Sequence, residues 1–344
     1  TRIKSDVPGS YAREALLHGL EMEEKGGFNP FRFGFIGASD THVAGGPFEE
    51  SNYWSKAGAM DGTPQQRGSV PLDTGVVSTT PSEPSAPKTA RLENGEKYAD
   101  VYYHLWGSAG LAGVWAEENT RDALFDALRR KETFATSGPR IRVRLFGGFA
   151  LPDGLAEDAD AVAKAYAAGV PMGSDLVGSA GASAAGLGGG GAAGGKAPSF
   201  LVWAMRDPKS AALQRLQVVK GWVEDGKGRE QVFDVACSDG LTPDPATHRC
   251  PDNGATVDLA TCKITDGKGA AELRTVWSDP EFDGSRRAFY YLRVLENPTC
   301  RWSTWDAIRA GVPPRDGLET TIQERAWSSP IWYVPSVDRA RGAG

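Results

Sequence analysis

Apolar residues recur with helical spacing in the first part of the chain. Leu16 and Leu20 lie on one face of a helix predicted over residues 10–26, which Ser10 can cap and which a Gly-Gly pair ends. Asn119 or Thr120 can cap a second helix, whose last turn carries basic residues, as favoured at the carboxyl end of a helix. The pattern therefore predicts helices before residue 140, separated by irregular chain.

Short apolar runs lie between these helices. Residues 33–38 follow the first helix directly and predict a buried strand. Residues 43–97 are rich in Gly, Pro, Ser and Thr and have little periodicity, which predicts a long loop, either functional or disordered. Residues 111–115 predict another short buried segment, and residues 133–137 an extended one that ends at a Gly-Pro pair.

From residue 141 onward, apolar and polar residues alternate with period two, which is typical of half-buried strands. The strands predicted in this way cover residues 141–145, 199–205, 213–223, 230–236, 287–296 and 329–334. They predict a β-sandwich over residues 141–344, preceded by α-helical and loop material over residues 1–140, and hence an α+β fold. A tract of Gly, Ala and Ser at about residues 178–197 predicts a surface insertion.

Charge and composition exclude several classes of protein. The 344 residues carry a formal net charge of −6, and the basic residues are scattered, so nucleic acid is not an expected partner. Hydrophobic residues make up 40% of the chain, as in ordinary folded proteins. No run of about 18 apolar residues occurs, so no transmembrane segment is expected.

Four cysteines, Cys237, Cys250, Cys262 and Cys300, all lie in the last third of the chain. Their spacing lacks the paired C-x-x-C of a zinc site, so two disulfides or four buried thiols are the alternatives. Two disulfides fit the loop-rich context better and imply a periplasmic or secreted protein. Three pairings are possible, and we favour Cys237 with Cys250 and Cys262 with Cys300, although the sequence alone does not establish it.

Asp40 and His42 directly follow the predicted strand at residues 33–38. Two positions apart in an extended chain, their side chains leave the same face and can share one cation. A carboxylate with an imidazole suits Zn²⁺, Mn²⁺ or Fe²⁺. The alternative is a polar turn in which Asp40 caps the following segment and His42 is merely exposed.

Long motifs around this pair resemble an uncharacterised family of exported bacterial proteins. That family is related to the polymerase-and-histidinol-phosphatase (PHP) metallohydrolases and is similar to the carbamate-insecticide hydrolases. The motifs that carry the resemblance are residues 29–42, 110–121 and 133–139, continued by residues 198–203, 234–239, 290–307 and 323–333.

The resemblance implies a PHP-like α/β barrel in which the D-x-H motif, here Asp40 and His42, supplies metal ligands. It also implies hydrolysis of an ester, carbamate or phosphoester by metal-activated water, with two or more divalent transition-metal ions, Zn²⁺ first, and a small-molecule substrate. Residues 1–140 would then be the carboxyl-terminal part of the barrel. No H-x-H motif is present, so we expect an upstream region or another chain to complete the barrel and the ligand set.

Three further residues are candidates for a substrate pocket. Trp115 and Glu117 follow a short apolar segment and precede a helix, whose amino-terminal N–H groups can hold an anion or a carbonyl. His104 lies in an aromatic patch. The alternatives are helix capping for the first two and simple packing for His104. A serine hydrolase is excluded by the absence of G-x-S-x-G.

The rival to a hydrolase is a non-catalytic exported protein that binds a partner or carbohydrate, or has a structural role. If five tryptophans of the predicted sandwich are exposed, they favour such a binding role, and if they are buried, they simply pack its core. They are Trp203, Trp222, Trp277, Trp302 and Trp305.

Overall fold

The computed structural model describes residues 9, 11–74, 90–178 and 196–336. Helices and antiparallel sheets are mixed along the chain, which confirms the α+β class. The helices are α1 (Ala12–Gly26), α2 (Pro64–Arg67), α3 (Arg121–Arg129), α4 (Ala161–Ala168) and α5 (Trp302–Ala310). None of the helices in these ranges is both long and apolar enough to cross a membrane.

Sixteen strands are found in the described residues. The first eight are β1 (Ala90–Glu93), β2 (Glu96–Ala99), β3 (Leu111–Val114), β4 (Thr133–Thr136), β5 (Arg142–Gly148), β6 (Val170–Pro171), β7 (Asp175–Val177) and β8 (Ser199–Met205). The second eight are β9 (Leu213–Glu224), β10 (Lys227–Cys237), β11 (Glu272–Ser278), β12 (Ala288–Glu296), β13 (Thr299–Cys300), β14 (Thr321–Ile322), β15 (Arg325–Ser328) and β16 (Ile331–Val334).

Two of the sheets face each other and form the sandwich. The main sheet has the order β10-β9-β12-β15-β4-β3, and β16 adds to it by pairing with β12 and, in parallel, with β7. The second sheet has the order β11-β8-β5-β6. Apart from the β7–β16 pair, these pairings are antiparallel.

The core lies between these two sheets because strand residues alternate between the faces. On β12, Tyr290, Leu292 and Val294 point inward and are fully buried. Phe200 from the second sheet packs on Tyr290, with the ring centroids 4.5 Å apart. Burying each such side chain stabilises the fold by about 1.5–3 kcal/mol.

The outer face of the main sheet is covered in part by α1. Leu16 and Leu20 are buried there against Phe289 and Tyr291 of β12. The helix ends at Gly27, whose φ of 74° is readily adopted only by residues such as glycine. This confirms the predicted helix, whose expected cap, Ser10, lies outside the described residues.

Most strands predicted after residue 140 are confirmed, as are the capped helix after Thr120 and the extended segment at residues 133–137. The strand predicted at residues 33–38 is wrong: this stretch has no β-pairing. A β1–β2 hairpin lies inside the predicted 43–97 loop. The predicted Gly/Ala-rich insertion lies almost wholly outside the described residues.

The expected carboxyl-terminal part of an α/β barrel is wrong for the described part of residues 1–140. A barrel needs parallel strands joined by helices, whereas β1 pairs with β2 and β3 with β4, both antiparallel. Strand β4 also pairs with β15, so strands from both sides of residue 140 share the main sheet. The division of the chain into domains at residue 140 stays a prediction.

Both favoured disulfides are present. Cys237 bonds to Cys250, and Cys262 bonds to Cys300. The first links the end of β10 to the loop that follows it, and the second ties the later part of that loop to β13. Disulfides of this kind are typical of proteins from oxidising compartments.

Candidate functional site

The stretch that carries the D-x-H motif runs across the main sheet without joining it. The Phe35 N–H donates to Ser329 Oγ over 2.8 Å, and the Gly110 N–H donates to the Ala38 carbonyl over 3.2 Å. At Gly37 a Cβ atom would lie 2.4 Å from the Leu111 carbonyl oxygen. Only glycine permits so close a backbone approach, and it sets how the following residues leave the sheet.

Burial alternates along this stretch. Ile36, Ala38, Asp40 and His42 are exposed, whereas the residues between them are half-buried against the body of the protein. The period of two is that of an extended chain with one face covered. Asp40 itself has a φ of 50°, a left-handed conformation that Asp tolerates better than most residues.

His42 is held in a defined orientation. Its N–H donates to the Lys56 carbonyl over 2.8 Å, and its ring Nδ1 lies 3.1 Å from the Asp40 carbonyl oxygen. Because a carbonyl oxygen only accepts, this contact requires the proton to be on Nδ1. The other ring nitrogen, Nε2, then carries a free lone pair, and the His42 residue is exposed.

The segment that holds His42 is organised by one buried carboxylate. Asp61 accepts hydrogen bonds from the Ser55 hydroxyl at 2.5 Å, the Lys56 N–H at 2.8 Å and the Ala57 N–H at 2.9 Å. Burial lowers the pKa of the Lys56 ammonium, and among the charges that raise it the effect of Asp40 is the largest. The predicted long loop is thus ordered here by buried polar contacts.

Two further contacts fasten this loop to α5. The buried Glu50 carboxylate accepts from the Trp302 N–H at 2.6 Å and from Arg301 at 3.1 Å. Arg67 and Asp306 form a buried bidentate pair with distances of 2.7 and 2.6 Å. The loop behind Asp40 and His42 is therefore anchored to the carboxyl-terminal part of the fold.

The donor atoms available for a metal ion at this point are one carboxylate and one imidazole. Within the described ranges no three His, Cys, Asp or Glu side chains come together as a metal site. A catalytic zinc site usually has three protein ligands. Asp40 and His42 thus fit part of such a site, with the right donor types and an imidazole already oriented.

The structure places Trp115 and Glu117 at one cluster of charged residues, in which Glu132 contacts both Arg130 and Arg144, whereas His104 has other neighbours. Trp115 donates from Nε1 to the Val143 carbonyl over 2.9 Å, and the Arg144 guanidinium lies 3.7 Å from its ring centroid. Glu117 is exposed and pairs with Arg130 at 3.0 Å. These contacts give Trp115 a packing role and Glu117 a surface ion pair.

His104 belongs to a short 3-10 helix at Tyr103–Leu105. Burial, followed by the charge of Arg315, lowers the pKa of its imidazole to about 4. It is therefore neutral at physiological pH. None of its described contacts involves Asp40 or His42.

Sequence reasoning missed Lys56, Asp61 and the Arg67–Asp306 pair. Asp61 binds residues four to six positions away, so a local turn signal existed, although it is common in loops. Arg67 and Asp306 are 239 positions apart. No pattern within a short window links such a pair.

Comparison with known proteins gives a family without an assigned activity. A family model described as a protein of unknown function (DUF3604) matches residues 1–335. Neither the curated proteins nor the solved structures contain a match.

Proposed function

Because the chain belongs to the DUF3604 family, whose function is unknown, we propose an activity from its own residues: a metal-dependent hydrolase in which Asp40 and His42 are two of the metal ligands. The observation that carries the proposal is the orientation of His42. Its Nδ1 lies 3.1 Å from the Asp40 carbonyl oxygen. Histidines that bind metals commonly donate their second ring N–H in this way, which fixes the tautomer and the ring direction.

The surroundings of the pair favour the same role. Both side chains are exposed, so a cation can reach them. Behind them, Asp61 and the Lys56 backbone hold the loop in place through buried hydrogen bonds. Preorganised ligands of this kind lose little freedom when an ion binds.

A bound divalent transition metal, Zn²⁺ first and Mn²⁺ or Fe²⁺ as alternatives, supplies activated water and polarises the scissile bond. The chain's own residues hold and orient this group: Asp40 contributes a hard oxygen and His42 a borderline nitrogen. The substrate that we propose, a small-molecule ester, carbamate or phosphoester, rests on the resemblance of residues 29–42 and the other motifs to an exported bacterial family related to the PHP metallohydrolases.

Two ligands are too few for a catalytic site, so we propose that the remaining ligands lie outside the described residues or on another chain. The complete site would hold two or more ions. The stretch at residues 32–39 supports ligands from elsewhere, because a backbone that forms no β-pairing with the described residues is a template for a further strand.

The two disulfides support a periplasmic or secreted location for this hydrolase. Reducing compartments keep thiols free, so bridges of this kind are rare there. Free thiols counted on freshly isolated, denatured protein test the location, since a protein from a reducing compartment would show all four.

Metal analysis of variants tests the assignment of the ligands. Asp40→Ala and His42→Ala should each lower Zn²⁺ bound per chain after equilibrium dialysis, because each removes one donor. His18→Ala and Asp266→Ala are matched controls, since both residues are exposed and lie elsewhere. Bound metal that is equal in all five proteins, wild type included, would reject the assignment.

The rival function is a non-catalytic exported protein that binds a partner or carbohydrate, or has a structural role. The tryptophans give it little support: Trp302 is fully buried, and Trp222 and Trp277 pack against the core between the sheets. If the protein binds no transition metal and hydrolyses no ester, carbamate or phosphoester, the rival is the better account.

A further inference from the structure

A cleft of about 470 Å³ opens on the outer face of the main sheet, between the start of α1 and the stretch around Phe35. The sheet forms its floor, and the first turn of α1 forms one wall. The residues that line it are Tyr11, Ala12, Arg13, Phe35, Ile36, Ala135, Tyr291, Arg293, Arg325 and Trp327. The lining thus consists mainly of aromatic rings and arginines.

Strand register explains why two of the arginines meet the aromatic rings. Arg293 on β12 pairs with Trp327 on β15, and Leu295 pairs with Arg325. Positions two apart on a strand share a face, so Tyr291, Arg293, Arg325 and Trp327 all point away from the sandwich core. Two guanidinium groups and two rings are therefore fixed on one rigid surface.

Both guanidiniums lack an acidic partner. Arg293 donates from Nε to Gln217 Oε1 at 2.6 Å, and Arg325 donates from Nε to the Gln323 carbonyl at 3.1 Å. Neither forms an ion pair with a described residue. The uncharged acceptors orient the two side chains and leave their terminal N–H groups for another partner.

Electrostatics in the cleft favour an anion. Burial, together with the charges of Arg325 and Arg13, lowers the pKa of Arg293, although it stays charged. Arg13, on the rim, is paired with Glu230 at 3.1 Å. Glu230 also acts on Arg293 but forms its ion pair with Arg13. Two half-buried cations that form no ion pair with a described residue are a costly arrangement unless an anion joins them.

Burial raises the pKa of the Tyr291 phenol to about 12. It therefore stays protonated at neutral pH, and its hydroxyl can donate to an anion. The rings of Phe35 and Trp327 flank the same floor and offer flat apolar surface. The donors and the rings together suit a ligand that has a charged end and a planar body.

We propose that this cleft binds a small planar organic anion, a carboxylate attached to an aromatic ring, with the carboxylate on Arg293 and Arg325 and the ring against the aromatic lining. A guanidinium fork matches the two oxygens of a carboxylate. The cleft volume lies within the range of small-molecule sites. The proposal does not depend on the metal site.

Titration with simple probes tests it. Benzoate supplies both features, benzamide has the ring without the charge, and acetate and inorganic phosphate have charge without a ring. Ligand-observed NMR on the whole chain should show benzoate binding, with the other three probes each about tenfold weaker or more, as expected when a charge-assisted contact or ring burial is lost.

Variants locate the site. Arg293→Gln and Arg325→Gln should each weaken benzoate about tenfold. Arg121→Gln is the matched control, because that side chain is 96% exposed and lies on α3, and it should bind benzoate like the wild type. Melting curves show whether the variants are folded. Arg293→Lys keeps the charge but not the guanidinium fork, so it should bind benzoate more tightly than Arg293→Gln and less tightly than the wild type.

The proposal is overturned if benzoate fails to bind, or if both cleft variants bind it like Arg121→Gln. It is also overturned if phosphate or acetate binds as tightly as benzoate, because the ring would then contribute nothing. Variants Asp40→Ala and His42→Ala that lose bound metal should still bind benzoate, because the cleft does not depend on the metal site.

Discussion

Replacing Asp306 by asparagine removes one charge from the most buried ion pair near the candidate site. The side chains of Arg67 and Asp306 are 4% and 2% exposed. The carboxylate accepts two guanidinium hydrogen bonds at 2.7 and 2.6 Å and a third from the Ser69 hydroxyl at 2.6 Å. Asparagine keeps the shape of the side chain and one acceptor oxygen but leaves Arg67 as an uncompensated buried charge.

The expected cost is about 3–5 kcal/mol in the free energy of unfolding, the range found when one partner of a buried pair is removed. Whole domains are stable by only about 5–15 kcal/mol, so the change is large. The structural disturbance should be greatest in the loop behind His42. Arg67 also donates to the Trp54 carbonyl at 2.7 Å and thereby holds that loop against α5.

Urea denaturation followed by tryptophan fluorescence measures the change. Asp266→Asn is the matched control: its carboxylate is 86% exposed and 3.5 Å from Lys263, and such surface pairs contribute about 0–1 kcal/mol. The double variant Arg67→Met with Asp306→Leu removes both charges and should recover most of the loss. Equal stabilities for Asp306→Asn and Asp266→Asn would refute the reasoning, as would a double variant less stable than Asp306→Asn.

Three shorter predictions concern other parts of the molecule. Reduction of both disulfides should destabilise the protein, by about 3 kcal/mol for the shorter loop and about 4 for the longer one in the chain-entropy model, measured as the shift in urea midpoint. Burial raises the pKa of Glu296 to about 8 and that of Glu324 to about 7, so the folded state retains protons that the unfolded state loses above a pKa of about 4.5. The free energy of unfolding should therefore fall from about pH 5 to about pH 9, and Glu296→Gln should make that fall smaller, most of all above pH 7, where Glu324 contributes least. Gly37→Ala should displace the stretch that carries the ligand pair, since its Cβ would clash with the Leu111 carbonyl, and it should reduce bound Zn²⁺, whereas Gly45→Ala, with open space around it, should not.

The strands after residue 140 could be predicted because their information is local. Residues 200–205 are a short continuous apolar run and parts of residues 213–223 alternate between apolar and polar positions, and β8 and β9 match the predicted bounds to within one residue. Six strands after residue 140 were missed: β6, β7, β11, β13, β14 and β15. On β11 no residue is fully buried and both ends are exposed, so the alternation that marks a half-buried strand is weak there.

The stretch at residues 33–38 shows where local information fails. Its apolar run resembles a buried strand, but a strand exists only through a pairing partner, and partners are set by the whole fold. Here Gly37 and Gly110 bring the backbone so close to the sheet that it crosses over rather than joining. The barrel predicted by resemblance failed in the described residues for a related reason, since β3 and β4 joined the sandwich sheet.

The ligand pair could be proposed from the sequence because D-x-H after an apolar run is itself a short pattern. The buried contacts that hold the loop behind this pair could not be predicted in the same way. Glu50 contacts Trp302 and Arg67 contacts Asp306, each across more than two hundred positions. Contacts of that range depend on chain topology, which composition and periodicity do not specify.

The exposed face of the stretch at residues 36–42 links the two proposals. Ile36, 58% exposed, precedes Asp40 by four residues and also lines the arginine cleft. Four residues of extended chain span at most about 14 Å, so the cleft and the ligand pair are neighbours. A ligand or polypeptide that covers Ile36 would also shield Asp40 and His42 from solvent, and a shielded site strengthens every electrostatic contact made there.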